Sequence, residues 1–140
     1  MYYKCIYFKI QELVDRKTFE LWGEKAWMFF NPSALISLDG IKLYFWKPVI
    51  ANDWIFGGQK ENRGLRPLYS TVGADYSLHR FGCAFDIDVQ GVDAEEVRQT
   101  IIRLKDNPLF QYITCLETGI TYVHFDCRNV LERILLVDKP

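Results

Sequence analysis

The sequence predicts an α+β fold, in which a small and mainly antiparallel sheet has helices packed on one face. Two observations lead to this prediction. Apolar residues recur at helical spacing in the first third of the chain and again after Asp93, whereas two later segments alternate apolar with polar residues, as half-buried strands do. No repeat and no low-complexity linker divides the 140 residues, so we expect one domain, 1–140.

Capping residues mark the starts of two helices in the first third of the chain. Asp15 is expected to cap a short helix that runs through Trp22. Asn31-Pro32 is a stronger start, because Asn favours the cap and Pro the first helical position. The helix that follows has apolar residues at helical spacing, namely Leu35, Leu38, Ile41 and Phe45. Pro48 ends this helix, and Val49-Ile50-Ala51 is typical of a short strand.

Two segments in the second half of the chain alternate in polarity. In residues 84–89 the odd positions are apolar, and Asp86 lies on the polar side. In residues 122–127 His124 and Asp126 share the polar side. If these strands pair in one sheet, Asp86 and His124 lie on a shared surface while the opposite face packs on helices.

A third helix is predicted between the two strands. Asp93-Ala94-Glu95-Glu96 fits a capping box, and Val97, Ile101 and Leu104 form an apolar stripe behind it. Asn107-Pro108 ends this helix.

Composition excludes several classes of protein. Hydrophobic residues make up 49% and charged residues 25%, which fits a globular protein and argues against disorder. The net charge is −1 and no basic run occurs, so we expect no binding to nucleic acid. No signal peptide and no span of eighteen apolar residues is visible, so we expect synthesis in the cytoplasm, no membrane insertion and, by assumption, a monomer.

The four cysteines are scattered and include no C-x-x-C pair. A chain of this length folds without disulfides, so we expect reduced and mostly buried thiols. For Cys83, which lies inside the motif described next, tight packing is favoured over a role at a metal. The cysteines are Cys5, Cys83, Cys115 and Cys127.

Two imidazoles and a carboxylate form the ligand set of a hydrolytic zinc site that keeps one position for water. His79 and His124 are the two histidines of the chain, and Asp86 follows His79 by seven residues. Gly82 lets the backbone turn between them, so that the two side chains can converge. Spacing by itself leaves open both a metal site and ordinary core or surface histidines.

Residues 77–86 resemble the S-x-H-x-x-G-x-A-x-D pattern of the M15-type zinc peptidases. This group comprises D-Ala-D-Ala carboxypeptidases and dipeptidases and phage L-alanyl-D-glutamate endopeptidases, and it shares its fold with the hedgehog signalling domain. Residues 122–126 are similar to the second motif of the group, in which an aromatic and an aliphatic residue precede the last zinc-binding His. The resemblance covers nearly the whole chain. The matching positions of the first motif are Ser77, His79, Gly82, Ala84 and Asp86.

The resemblance implies roles for individual residues. His79, Asp86 and His124 would bind one zinc ion, and Ser77 would steady the site by hydrogen bonding. Family members often have an arginine about a dozen residues before the first His. Arg66 is therefore expected to hold a substrate carboxylate or to polarise its carbonyl. Arg63 is the alternative to Arg66, and the other interpretation of either residue is a solvated loop arginine.

The catalytic base is less clearly indicated. Many relatives have an acidic residue three positions before the last His, and Thr121 stands there in this chain. Glu117, seven positions before His124, is the expected base, and it would reach the metal if loop 118–120 folds back. Asp126 is the alternative base, although a role as hydrogen-bond partner of the site is favoured for it.

The resemblance implies hydrolysis of an amide bond in peptidoglycan stem peptides, either between L-Ala and D-Glu or near the D-Ala end. We expect a phage or prophage enzyme of the endolysin kind, or a virion-associated one, that acts on the cell wall after release. One alternative is a non-catalytic zinc-containing module that binds cell-wall peptide or a partner protein. The other is a structural phage protein without metal.

Overall fold

The computed structural model describes residues 1–139, and its regular elements confirm the α+β prediction. The helices and strands, in chain order, are α1 (Arg16–Trp22), α2 (Pro32–Phe45), β1 (Val49–Ile50), β2 (Ala84–Val89), α3 (Ala94–Arg103), β3 (Cys115–Thr118), β4 (Val123–Asp126) and β5 (Leu135–Asp138). Short 3-10 turns connect several of them. Within residues 1–139, no helix combines the length and apolar character needed to cross a membrane.

The predicted helix starts are confirmed by side-chain caps. The carboxylate of Asp15 accepts a hydrogen bond from the Thr18 backbone N–H at the start of α1. Asn31 accepts from Ser33 N at 2.9 Å, with Pro32 as the first residue of α2. Asp93 accepts from Glu95 N at 2.9 Å, which is the Asp93 half of the predicted capping box.

Five strands form one sheet in the order β1-β2-β4-β3-β5, and only the β3–β5 pair is parallel. In the β2–β4 pair, Asp86 lies directly opposite His124. In the β3–β4 pair, Leu116 lies opposite Phe125. Continuing that register by one residue puts Glu117 opposite His124. Asp86, His124 and Glu117 therefore stand in one row across three strands, with their side chains on the same face.

The other face of the sheet and the helices form the core. Phe85 stacks on Phe30 with ring centroids 5.5 Å apart, and it also contacts Phe125. The core residues from α2 and α3 are fully buried, and they are Leu35, Leu38, Ile41, Val97 and Ile101. This burial supplies the main driving force for holding the helices against the sheet. The polar face, with Asp86 and His124, is thereby left for the functional site.

Arg98 ties α3 to the connection between β3 and β4. It is 4% exposed, and its guanidinium donates to the backbone oxygens of Tyr122 at 2.8 Å and Ile120 at 3.1 Å. A buried guanidinium is tolerated because its donors are satisfied, here also by Glu95. Arg98 thus fixes the hairpin that holds Glu117 next to His124.

Gly82 has the turning role predicted for it, and it also makes a close backbone approach. Its φ is +67°, in the left-handed region, and a Cβ atom there would lie 2.1 Å from the carbonyl oxygen of Phe29. Its own carbonyl accepts a hydrogen bond from Asn31 N at 3.0 Å. Only glycine allows both the turn and the approach, so Gly82 joins the His79 turn to the start of α2.

We expect Gly82→Ala to lower the free energy of unfolding by more than about 2 kcal/mol, because left-handed strain and a backbone clash add together. Gly91→Ala is the matched control. Gly91 has φ +76°, and a Cβ atom there would meet nothing within 4 Å, so strain alone should cost it about 1 kcal/mol. Urea denaturation of the two variants measures the difference, and equal losses would contradict this account.

Candidate metal centre

Three elements bring the predicted ligand set together. His79 lies in the 3-10 turn Leu78–Phe81, Asp86 on β2 and His124 on β4. One ligand atom from each residue lies within 4.8 Å of the others, so the group could hold a metal ion. All three residues are buried, with 2%, 5% and 5% of their surface exposed, respectively. Isolated polar groups are rarely buried so deeply, which sets this cluster apart from ordinary surface histidines.

The ring of His79 is oriented by the backbone. Its Nδ1 lies 2.9 Å from the carbonyl oxygen of Gly64, which makes Nδ1 the protonated donor. Nε2 then faces Asp86 Oδ1 at 3.3 Å. Among the described residues this buried Nε2 has no hydrogen-bond partner. An imidazole whose far nitrogen donates to a carbonyl, while its near nitrogen lacks a partner, is the arrangement of a metal-binding histidine.

Gly64 is required for that orientation. A Cβ atom on Gly64 would lie 2.0 Å from the Leu13 carbonyl oxygen, so no larger residue fits against the segment before α1. The Leu65 N–H donates to the same Leu13 oxygen at 2.9 Å. The loop between β1 and β2 is therefore held against Leu13 at Gly64, the residue whose carbonyl accepts the hydrogen bond from the His79 ring.

His124 lies between two carboxylates. Its Nδ1 is 2.8 Å from Asp86 Oδ1, and its Nε2 is 2.9 Å from Asp126 Oδ2. Burial opposes the charged ring, but the hydrogen bonds to Asp126 and Asp86 outweigh it and raise the pKa of His124 to about 9. Because Nε2 is bound to Asp126 and Nδ1 lies beside the ligand Asp86, Nδ1 is the atom available to a metal.

Asp126 is held as a partner of His124. It is 0% exposed, and Arg128 donates to its two oxygens at 2.6 and 2.8 Å. Burial opposes its ionisation, yet the hydrogen bonds from His124 and Arg128 hold its pKa below the usual range. Because its oxygens face two cations and no solvent, Asp126 suits the partner role better than the role of a base.

Arg66 and Ser77 complete the surroundings of Asp86. Arg66 Nη2 donates to Asp86 Oδ2 at 3.1 Å, and its Nε donates to the Asn62 carbonyl at 2.8 Å. Ser77 Oγ accepts from His79 N at 3.3 Å and lies 3.4 Å from Arg66 Nη1. Although burial opposes it, the hydrogen bond from His124 and the charge of the neighbouring imidazoles hold the pKa of Asp86 well below its usual range. The carboxylate is therefore ionised and oriented for a cation.

The structure separates the two arginine candidates. Arg63 pairs with Asp88 at 2.6 Å, and its guanidinium carbon lies 5.1 Å from the centre of the Tyr122 ring. Its side chain thus does not contact the ligand group, whereas the Arg66 side chain donates to Asp86. Its backbone does contribute, since the Arg63 carbonyl accepts from Asp86 N at 2.8 Å. That bond fastens the loop to the edge of β2 at the ligand itself.

Glu117 reaches the site by the fold-back of the chain that was predicted. The chain reverses between β3 and β4, which are antiparallel, so Glu117 on β3 stands opposite His124 in the sheet. Its Oε1 is 3.9 Å from His124 Nε2, and its side chain is 22% exposed. Its carboxylate is therefore more open to solvent than those of Asp86 and Asp126, which are buried.

A cleft of about 500 Å³ opens over the ligand group. Its wall includes Glu117 and Tyr122, the aromatic residue of the second motif, together with two residues that were not predicted for the site, Arg128 and Lys139. Lys139 Nζ donates to the Tyr122 hydroxyl at 2.6 Å. Arg128 has a sequence signal, since it stands two residues after Asp126 and such residues share one side of an extended chain. Lys139 has none.

No protein-family model, no curated protein and no solved structure matches this chain. The candidate metal centre is therefore defined by its own geometry and by the motif it contains.

We expect purified protein to bind about one Zn²⁺ per chain, and His79→Ala to abolish this binding. Asp126→Asn should weaken it about 10- to 100-fold, because the partner that orients His124 is lost. Competition with a zinc-binding dye measures both effects. Asp88→Asn is the matched control, on the same strand as Asp86 but paired with Arg63. Zinc binding by His79→Ala at wild-type affinity would exclude the site.

Proposed function

We propose that this protein is a zinc-dependent peptidase of the M15 type, with a hedgehog-like domain, that hydrolyses an amide bond in peptidoglycan stem peptides. The observation that carries the proposal is the buried His79–Asp86–His124 group, which lies in a solvent-open cleft with Glu117 on its wall. Two imidazoles and one carboxylate favour zinc among the common divalent ions.

A bound zinc ion would supply a Lewis acid that polarises the scissile carbonyl and lowers the pKa of a water molecule to about 7. Glu117 would accept a proton from the attacking water and return it to the leaving amine. Its position supports this role, since it stands beside His124 and is reached from the cleft. The closed-off Asp126 would keep the His124 ring in place throughout.

Arg66 would act on the substrate oxygen. Its guanidinium is anchored at Asn62 and Asp86, so it is held with little freedom next to the ligand carboxylate. A fixed cation at that position would stabilise negative charge that develops on the carbonyl oxygen. It would also bind a substrate carboxylate, as proposed from the motif.

The identity of the substrate rests on the motif resemblance. The cleft adds one supporting feature, because Arg66, Arg128 and Lys139 line it and suit a peptide that carries carboxylates. On the same grounds we propose a phage or prophage origin and action on the cell wall after release. A peptidoglycan peptide is the proposed partner, with no role for nucleic acid or membrane insertion.

Glu117→Gln should lower the rate of muropeptide cleavage by about 10²- to 10⁴-fold, because the proton acceptor is lost. It should still bind one zinc ion, since Glu117 is not in the ligand group. Mass spectrometry of peptidoglycan digests identifies the bond cut, and elemental analysis gives the zinc content. Glu20→Gln, at an exposed position on α1, is the control and should cleave normally.

Two other outcomes would replace this proposal. Wild-type protein that contains one zinc ion but leaves every muropeptide intact would be a non-catalytic zinc-containing module. Protein that binds no zinc under the same conditions would be a structural protein in which the buried group is an ion-pair network.

A further inference from the structure

Two cysteines flank the strands that carry Asp86 and His124. Cys83 immediately precedes β2, and Cys127 immediately follows β4. Ala84 lies opposite Asp126 in the β2–β4 pair, so the next step of the register puts Cys83 opposite Cys127. The backbone confirms this step, because Cys127 N donates to the Cys83 carbonyl at 3.2 Å.

The geometry of such a pair suits a disulfide. Residues that face each other across an antiparallel hydrogen bond have Cα atoms about 5.5 Å apart, and disulfides span Cα separations of roughly 4.4–6.8 Å. Their side chains also point to the same face of the sheet. In the reduced protein the Cys127 thiol donates to the Cys83 carbonyl oxygen at 3.5 Å, and the Cys83 thiol donates to the Phe81 carbonyl oxygen at 3.4 Å.

Cys83 is the more reactive thiol of the pair, because hydrogen bonding with Cys83 and burial raise the pKa of the Cys127 thiol well above its usual range. Cys83 and Cys127 are partly exposed, whereas Cys5 and Cys115 are buried. Hydrogen bonding with Cys127 lowers the pKa of the Cys83 thiol to about 7. Burial instead raises the pKa of Cys115 to about 12. Cys83 therefore carries a large fraction of thiolate at neutral pH, and the thiolate is the nucleophile in disulfide exchange.

We propose that Cys83 and Cys127 are a redox pair that closes a cross-strand disulfide when the protein meets an oxidising low-molecular-weight disulfide such as oxidised glutathione. The four thiols are free in the structure, and the pair closes only on oxidation. The inference does not depend on peptidase activity, since it rests on the cysteines and the strand register.

The reaction balances in two exchange steps. The Cys83 thiolate attacks one sulfur of oxidised glutathione, which breaks the glutathione S–S bond, forms a mixed disulfide and releases one glutathione thiolate that takes up a proton. The Cys127 sulfur then attacks the Cys83 sulfur and displaces the second glutathione, which takes the proton that Cys127 gives up. Two protein thiols are oxidised to one disulfide, and one oxidised glutathione is reduced to two thiols.

The disulfide would stabilise the candidate metal centre by fixing the register between β2 and β4. It joins positions 44 residues apart in sequence, three residues before Asp86 and three after His124. Two strands joined at that point cannot slip or separate without breaking the link. The oxidised protein would therefore hold the ligand group together outside a reducing compartment.

The test uses wild-type protein incubated with oxidised glutathione, then alkylated, digested and analysed by mass spectrometry. The expected product is a Cys83–Cys127 cross-linked peptide, with Cys5 and Cys115 alkylated. The melting temperature should rise by roughly 5 to 15 °C and return after dithiothreitol, because the cross-link constrains the unfolded chain. Alkylated Cys83 and Cys127 after oxidation, or a link that involves Cys5 or Cys115, would overturn the proposal.

Single variants test the order of the two steps. Cys127→Ser should trap one glutathione on Cys83, whereas Cys83→Ser should take up none. Cys115→Ser is the matched control and should form the link as the wild type does. A wild-type protein that keeps glutathione on Cys83 without displacement by Cys127 would also overturn the proposal, and the wild-type digest decides it even if a variant fails to fold.

Discussion

The pairing of β2 with β4, and of β4 with β3, sets where every polar group of the site stands. Asp86, His124 and Glu117 share one row across these strands only in the observed register. Side chains alternate between faces, so a slip of one residue in β4 would turn His124 into the apolar core and bring Phe125 to the cleft. The burial of Phe85 and Phe125 on the apolar face therefore fixes the register that keeps Asp86 and His124 on the polar face.

The site buries several charges, and it remains folded because each has a partner. Asp86 faces Arg66 as well as both histidines, and Asp126 faces Arg128 as well as His124. Such a network is weak evidence for stability, since desolvation offsets most of the attraction. Strong perturbation of several neighbouring groups is instead a characteristic of functional sites. Binding of a cation gives a reason why a small domain keeps this buried network of charged groups.

The loop between β1 and β2 covers the polar face, and it is fastened to the rest of the fold at a few backbone contacts. Gly64 lies against Leu13 and supports His79, the Arg63 carbonyl binds Asp86 N, and Gly82 lies against Phe29. Two of the three contacts need glycine because a side chain would displace the neighbouring carbonyl. The cleft thus owes its shape to close backbone packing as much as to the sheet.

The sequence by itself determined the features that have local causes. Caps at Asp15, Asn31 and Asp93 mark the helices, and period-two alternation marks β2 and β4 and puts Asp86 and His124 on polar faces. The tertiary structure decided the features that depend on pairing between distant segments. Strands β3 and β5 have the sequences Cys-Leu-Glu-Thr and Leu-Leu-Val-Asp, which do not alternate apolar with polar residues, so the place of Glu117 became clear only from its pairing with β4. The contact of Arg66 with Asp86, and the contacts of Arg98 and Arg128, likewise depend on which side chains the folded backbone brings within reach.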